Sequence, residues 1–170
     1  MKVNIEDFFA KYGGEEYRNG LFIPEDIHAL RFESFLSGDT EFDVPDNIDA
    51  VIEANKLKQE KRDAEYNNIS LHRKAGMECE ANGDVDEAIN EYAESIRLGE
   101  NAENDMFHAF GYSYTRIIVL LDKVKRFAEE IDYIEAVLNH SMKDSERGKY
   151  AARLEKTKVK LVKQSNDGRI

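Results

Sequence analysis

Apolar side chains recur at intervals of three and four residues through the second two thirds of the chain. The recurrence begins at Tyr66, and short polar or glycine-containing segments interrupt it. Each uninterrupted segment places its apolar residues on one face of a helix, which is typical of a helix packed against a core. The pattern therefore predicts five consecutive helices, at residues 66–81, 84–98, 104–123, 126–140 and 144–163. Because short loops join them, these helices should pack as antiparallel neighbours.

The first third of the chain is less regular. A short helix is predicted directly after Asn4, which is a favourable N-cap residue. A second helix is expected to begin at Pro24 and to end at Gly38, with a strand through residues 30–35 as the alternative. A third short helix is predicted over residues 46–54, where the apolar residues share one helical face.

The pattern divides the chain into four parts. Residues 1–55 form an N-terminal segment whose aromatic side chains must be buried, so we expect it to pack on the later helices, either capping them or plugging a groove between them. Residues 56–65 are almost wholly polar and contain no helix breaker, which predicts a linker or a helix extension. Residues 66–163 form the helical domain, and residues 164–170 form a flexible tail.

Composition favours a folded protein with a strongly charged surface. Hydrophobic residues make up 41% of the chain and charged residues 35%, a mixture typical of globular domains. The net charge of −11 is distributed unevenly: −9 in residues 1–55, −7 in residues 56–140 and +5 in residues 141–170. The acidic majority argues against broad nucleic-acid binding. The acidic front and the basic end can attract each other within one chain or within a dimer.

The sequence contains no motif for a metal or a cofactor. The single cysteine, Cys79, excludes an intramolecular disulfide, and it does not combine with the four histidines in a zinc-binding spacing. The N-terminal residues lack the apolar run of a signal peptide, and no later segment has the length and hydrophobicity of a membrane span. We therefore predict a cytoplasmic protein without a cofactor.

A repeated motif carries the most specific information. Its first copy reads His72-x2-Ala75-Gly76-x2-Cys79 and then Ala88-x3-Tyr92, with a turn at Asn82–Gly83. With that turn, Gly76 and Ala88 should face each other and let two helix backbones approach closely. Asp84 is placed to cap the second helix of the pair, and Gly99 is placed to end it.

A weaker copy of the motif follows later in the chain. It reads Tyr114-x2-Ile117-Ile118-x2-Leu121, followed by a second helix that begins near Phe127. Ile118 stands in place of Gly76, and Glu130 stands in place of Ala88. The second pair of helices should therefore cross at a greater separation or in a shifted register.

These motifs resemble the tetratricopeptide repeat over about residues 66–163. The resemblance implies an all-α fold of two antiparallel helical hairpins and a C-terminal capping helix; a five-helix bundle without repeats is the alternative. It also implies that a peptide or a partner helix binds in the concave face formed by the first helix of each hairpin. The residues placed on that face are Arg73, Met77, Glu80, Tyr112, Thr115, Arg116, Val119 and Asp122. We therefore predict a non-enzymatic protein–protein interaction module, an adaptor or a regulator.

Several of these residues allow other interpretations. Arg73 and Arg116 suit recognition of a carboxylate, but the stronger expectation for Arg73 taken alone is that it is solvated, and Arg116 could pair with Glu80 or Asp122. The lysines and arginines of the last helix are expected to form a solvated face. The alternative function is that of a nucleic-acid-associated regulator that uses this basic helix.

Catalysis is not expected. The chain lacks a glycine-rich phosphate loop, a nucleophile elbow and a zinc-protease motif. Carboxylate pairs such as Glu129–Glu130 are expected to be solvated surface, and His72 and Cys79 are expected to be packing residues. A short repeat array leaves an end uncovered, which favours a homodimer as a further prediction.

Overall fold

The periodic apolar segments fold into helices, and the chain is mostly helical, as predicted. The computed structural model describes residues 1–167. Within these residues the chain forms seven α-helices, one 3₁₀ helix and two short strands. It divides into two compact units, Met1–Asp63 and Ala64–Ile170. The division lies inside the segment 56–65, for which a linker or a helix extension was the expectation, and which is helical throughout.

The first unit combines short helices with a two-stranded sheet. Its elements are β1 (Lys2–Asn4), α1 (Ile5–Tyr12), a 3₁₀ helix (Glu15–Gly20), α2 (Glu25–Ser37), β2 (Glu41–Asp43) and the beginning of α3 (Ile48–Asn82). β1 and β2 pair in antiparallel register, with Val3 opposite Phe42. Sequence reasoning missed both strands, because three residues are too few to show an alternating pattern.

The predicted helix signals in this unit are confirmed at two positions. The Asn4 side chain accepts hydrogen bonds from the backbone amides of Glu6 and Asp7, so it caps α1. Gly38 ends α2 in the left-handed conformation, with φ of 78°, a conformation that glycine adopts without strain. The alternative of a strand through residues 30–35 is wrong, because these residues lie in α2.

A small apolar core holds the first unit together. Its buried members come from both ends of the unit and include the strand residue Phe42, whose ring lies edge-on to that of Phe8 at 5.1 Å. The core residues are Phe8, Tyr12, Phe22, Ile23, Ile27, Phe42, Val44, Ile48 and Ile52. Whether this segment packs on the later helices, as predicted for residues 1–55, stays a prediction.

The second unit consists of the remainder of α3 followed by α4 (Val85–Glu100), α5 (Phe107–Lys123), α6 (Phe127–Leu138) and α7 (Asp144–Asp167). Neighbouring helices pack antiparallel, as predicted. Their large apolar side chains form one core that includes Ile69 from α3, Tyr92 from α4, and Phe110 and Tyr114 from α5. A buried hydrogen bond of 3.0 Å joins the hydroxyls of Ser95 and Ser113 within this core.

The lack of a side chain at Gly76 accommodates the ring of Tyr92, whereas the predicted approach of the helix backbones at Gly76 and Ala88 stays a prediction. A Cβ atom at position 76 would lie 2.8 Å from the Tyr92 ring, which is closer than side-chain atoms pack. The small residue therefore makes room for a tyrosine one turn beyond Ala88. Ala88 itself is fully buried.

Two predictions of helix extent require correction, and one predicted turn is confirmed. The helices predicted at 46–54 and 66–81 are parts of a single helix, α3, because the intervening residues are good helix formers without glycine or proline. α7 continues to Asp167, so residues 164–167 of the predicted tail are helical, and residues 168–170 lie outside the described part. Asn82 ends α3, and Gly83 follows it with φ of 86°, as the predicted turn requires.

Two residues at the ends of α4 do not have their predicted roles. Asp84 occupies the N-cap position, but its side chain makes no capping hydrogen bond. Gly99 is buried inside α4, and the helix ends at Glu100, with Asn101 as its C-cap. A Cβ atom at position 99 would overlap the Phe110 ring. This glycine therefore makes room for the neighbouring helix and does not end α4.

Candidate functional site

Hydrogen bonds join α5 to α3 and to α7. Arg73 of α3 donates a hydrogen bond of 3.0 Å from Nη1 to the carbonyl oxygen of Ala109, at the beginning of α5. Farther along α5, the hydroxyls of Thr115 and Tyr150 lie 3.2 Å apart and join α5 to α7. We define the inner face as one side of α5 together with two residues of α3; by helical spacing and position its members are Met77, Glu80, Tyr112, Thr115, Arg116, Val119 and Asp122.

A shallow depression lies on the inner face between α3 and α5. Its volume is about 330 Å³, and it contains four of the eight residues predicted for the binding face. Met77 and Tyr112 are 46% and 45% exposed, so nearly half of each large side chain is free to contact a ligand. The complete lining is Met77, Glu80, Ala81, Tyr92, Tyr112 and Arg116.

An ion pair between Glu80 and Arg116 crosses the depression. Arg116 Nε donates to Glu80 Oε2 at 3.1 Å, and Arg116 Nη2 forms a second, parallel hydrogen bond to Glu80 Oε1. The hydroxyl of Tyr92 donates to the same Oε2 atom at 3.1 Å. Of the two partners considered for Arg116, the structure therefore selects Glu80. This fork geometry is the strongest form of arginine–carboxylate contact.

These contacts shift the acid–base properties of the depression. The hydrogen bond from Arg116 is the main reason that the pKa of Glu80 lies below its ordinary value, and burial opposes the shift. Burial and the hydrogen bond to Glu80 raise the pKa of Tyr92 far above its ordinary value. Glu80 therefore stays ionised and Tyr92 stays neutral at physiological pH, which keeps the charge pair intact.

The other predicted site residues make contacts within the chain. Arg73 is partly buried, and one of its five N–H donors is bonded to the carbonyl oxygen of Ala109. Asp122 pairs with Lys160 and lies 3.8 Å from Arg153 Nη2. Val119 is 36% exposed on α5. The structure thus brings together Met77, Glu80, Tyr112 and Arg116 around one depression and places Arg73 and Asp122 in helix–helix contacts.

The basic residues of the last helix are mostly exposed, but some of them also contact neighbouring helices. Lys160 pairs with Asp122 of α5. Arg147 donates to the carbonyl oxygens of Leu138 and His140 at 2.8 and 2.9 Å, so it binds the end of α6. Part of the positive charge of α7 is therefore used to attach this helix to its neighbours.

Sequence reasoning also missed a buried ion pair. Glu130, predicted to be solvated, has no exposed surface. Its Oε1 atom accepts hydrogen bonds from Arg153 Nε at 2.8 Å and from the Thr157 hydroxyl at 3.1 Å. Within residues 1–167, its Oε2 atom has no hydrogen-bond partner. The signal was available in the second motif, where Glu130 occupies the position of the buried Ala88.

His72 and Cys79 lie where the motif predicts packing residues. Cys79 is half-buried against the core of the second unit, and burial raises the pKa of its thiol. The Nδ1 atom of His72 lies 2.7 Å from Glu91 Oε2, so this imidazole also makes a polar contact across α3 and α4.

Comparison with known proteins assigns no family to this chain. No protein-family model, curated protein or solved structure matches the chain. Among the described residues, no three His, Cys, Asp or Glu side chains are grouped so that they could hold a metal ion. None of the helices within residues 1–167 combines the length and apolar character needed to cross a bilayer.

Proposed function

We propose that this chain is a non-enzymatic protein–protein interaction module, an adaptor or a regulator of tetratricopeptide type, which binds a peptide or a partner helix on the inner face of the second unit. One observation carries the proposal. Met77 and Tyr112 are nearly half-exposed, and together with Tyr92 they line one depression. Exposed apolar side chains grouped around a concavity are typical of binding surfaces.

The residue types suit a protein ligand. Methionine adapts its shape to different apolar partners. Tyrosine offers a large apolar surface together with a polar hydroxyl, and it is enriched at protein interfaces. Val119 of α5 extends the apolar surface beyond the depression. Thr115, which is exposed, adds a hydroxyl for hydrogen bonding.

The Glu80–Arg116 pair has a supporting role in this proposal. Because the two charges satisfy each other, the depression presents a fixed polar wall rather than a free cation. We therefore expect apolar anchoring by Met77 and Tyr112 to contribute more to affinity than recognition of a carboxylate by Arg73 or Arg116. Nucleic-acid binding by α7 has less support, because Arg147, Arg153 and Lys160 contact neighbouring helices.

The proposal is tested by selecting ligands from a phage-displayed library of random peptides on the immobilised full-length chain. We expect the wild type to enrich peptides that carry an apolar anchor. Met77→Glu should weaken their binding by about tenfold or more, because it places a charge against the anchor. Leu71→Glu is the matched control: Leu71 is 63% exposed on the same helix and lies about 120° around it from Met77.

Enriched peptides that bind the Met77→Glu and Leu71→Glu variants equally well would refute binding at the inner face. Failure of the wild type to enrich any peptide would also count against the proposal. Circular dichroism of both variants verifies that the helices remain folded, which is expected because both positions are exposed.

A further inference from the structure

Helix α2 presents an apolar surface that nothing in the first unit covers. Within α2, Ile27 is the buried residue. Phe32, Phe35 and Leu36 are 61%, 67% and 69% exposed. Their spacing of one, three and four residues places all three on one side of the helix. Two phenylalanines and a leucine exposed side by side form a surface that soluble proteins normally bury in an interface.

The surroundings of this α2 surface are acidic. Residues 25–43 contain six carboxylates and a single arginine. That arginine, Arg31, lies over the ring of Phe9 at 3.7 Å, so its charge already has an aromatic partner. Pairing of two α2 surfaces with each other would therefore bring like charges together. The acidic surroundings also disfavour an anionic membrane surface. The surface fits a partner that is apolar and basic.

A surface of that kind is present on α7. Val159 and Val162 are 55% and 61% exposed and lie three residues apart. Residues 156–163 contain four lysines and no carboxylate. Lys156 and Lys163 are exposed, and no carboxylate within residues 1–167 forms an ion pair with either of them. These two lysines flank Val159 on one side of the helix, so their charge is available to a partner.

We propose that α2 of one copy of this chain docks on the valine–lysine surface of α7 in a second copy, and that the contact is reciprocal. In each copy, α2 contacts the α7 surface of the partner, and α7 contacts the partner's α2. The two identical contacts form a closed symmetric dimer. Phe32, Phe35 and Leu36 cover Val159 and Val162, and the carboxylates around α2 lie near Lys156 and Lys163. This dimer uses neither Met77 nor Tyr112, so it is independent of the proposed peptide binding.

The area agrees with a dimer of moderate affinity. A large aromatic or aliphatic side chain exposes roughly 150–200 Å² when fully free. At the exposures given above, the three residues of α2 and the two valines of α7 supply roughly 500 Å² of apolar surface on each subunit. With the charged side chains around them, each subunit approaches the ~800 Å² that a standard stable interface buries.

Sedimentation velocity of the full-length chain tests the proposal. At about 100 µM, the wild type should sediment as a dimer of twice the 19.6 kDa chain mass. The double variants Phe32→Glu/Phe35→Glu and Val159→Glu/Val162→Glu should each dissociate at least about tenfold more readily. The control Leu71→Glu, at an equally exposed leucine, should remain dimeric. About 1 M NaCl should weaken the wild-type dimer, because it screens the charge pairs.

Mixing the two double variants distinguishes this contact from other modes of association. The α2 variant keeps an intact α7, and the α7 variant keeps an intact α2, so an equimolar mixture should regain heterodimers through one of the two contacts. Pairing of α2 with α2 would give no such recovery. A monomeric wild type, or a mixture that stays monomeric, would overturn the proposal. Circular dichroism verifies that the substituted helices are folded.

Discussion

Two glycines in helices of the second unit have opposite surroundings, although the sequence presents both as single helix-weakening residues. Gly99 is buried against Phe110, whose ring occupies the space that a Cβ atom would need. Gly148 lies in α7, is exposed, and has no atom within 4 Å of the place where a Cβ would be. The same substitution should therefore have opposite effects at the two positions.

Gly99→Ala should lower the free energy of unfolding by about 1–3 kcal/mol, because the added methyl group displaces an aromatic ring in a packed core. Gly148→Ala should raise it by about 0.5–1 kcal/mol, because alanine reduces the conformational entropy of the unfolded chain and favours the helix. Urea unfolding followed by circular dichroism measures both. Two changes of the same sign would contradict this account of the glycines.

At the residue scale, sequence reasoning identified Gly76 as a position that must be small, but it did not identify the side chain that this position contacts. The motif predicts that Gly76 faces Ala88, whereas the ring nearest to a Cβ atom at this position belongs to Tyr92. Gly99 was interpreted as a helix end because glycine is common there. The contact that decides its role comes from Phe110 in the next helix, and helix-end statistics contain no information about that contact.

At the scale of elements, the Glu80–Arg116 pair joins α3 to α5, and its contribution depends on pH. The pKa of Glu80 is lower in the folded chain than its ordinary value. Folding therefore favours the ionised carboxylate, and its contribution is complete above the ordinary pKa of about 4.3. The contribution is lost as the pH falls through the lowered pKa.

Glu80→Gln should therefore lower the free energy of unfolding by about 1–2 kcal/mol at pH 7, and the difference from wild type should shrink toward pH 3. Denaturant unfolding at both pH values measures the change. Glu78→Gln is the control, because Glu78 is exposed on the same helix and should have an effect below about 0.5 kcal/mol. A loss for Glu80→Gln that is independent of pH would contradict the role of its charge.

The attachment of α7 to α6 depends on the Glu130–Arg153 pair. Arg153→Met leaves the carboxylate of Glu130 buried without its cation and should lower the free energy of unfolding by about 3 kcal/mol. Glu130→Met/Arg153→Met replaces both charges with apolar groups and should recover a large part of that loss. A double-mutant cycle by urea unfolding measures the coupling; additive losses would show that the two side chains do not act as a pair.

Element boundaries were predictable where a specific residue produces them. Asn4 begins α1, and Gly38 ends α2, each through a hydrogen bond or a dihedral angle that its own residue type favours. The continuity of α3 was not resolved, because the polar residues 56–65 are compatible with a linker as well as with a helix.

The inner face was predictable in part, since four of its residues line one depression. The hydrogen bond from Arg73 to the carbonyl oxygen of Ala109 was not predictable, because no feature of the sequence indicates which backbone carbonyl an arginine contacts.

Charge is distributed unevenly along the sequence. At the scale of the whole molecule, the structure adds which of these charges contact neighbouring helices and which are exposed. The basic end of the chain forms α7, which uses Arg153 and Lys160 to contact its neighbours and leaves Lys156 and Lys163 exposed. The acidic front includes α2, whose apolar residues are exposed. Net charge alone argued against nucleic acid, whereas the placement of the charges supports the proposed contact between α2 and α7 of two copies.

The unequal burial of the helices has a consequence for the order in which the second unit loses its structure. α5 contributes eight buried residues to this unit, whereas α7 contributes one, Thr157. The backbone amides of the last helix should therefore be the first to exchange with solvent and those of α5 the last, since local opening costs least where few apolar contacts must be broken. A protease acting on the native monomer would accordingly remove the C-terminal helix before it reached the other helices of the second unit.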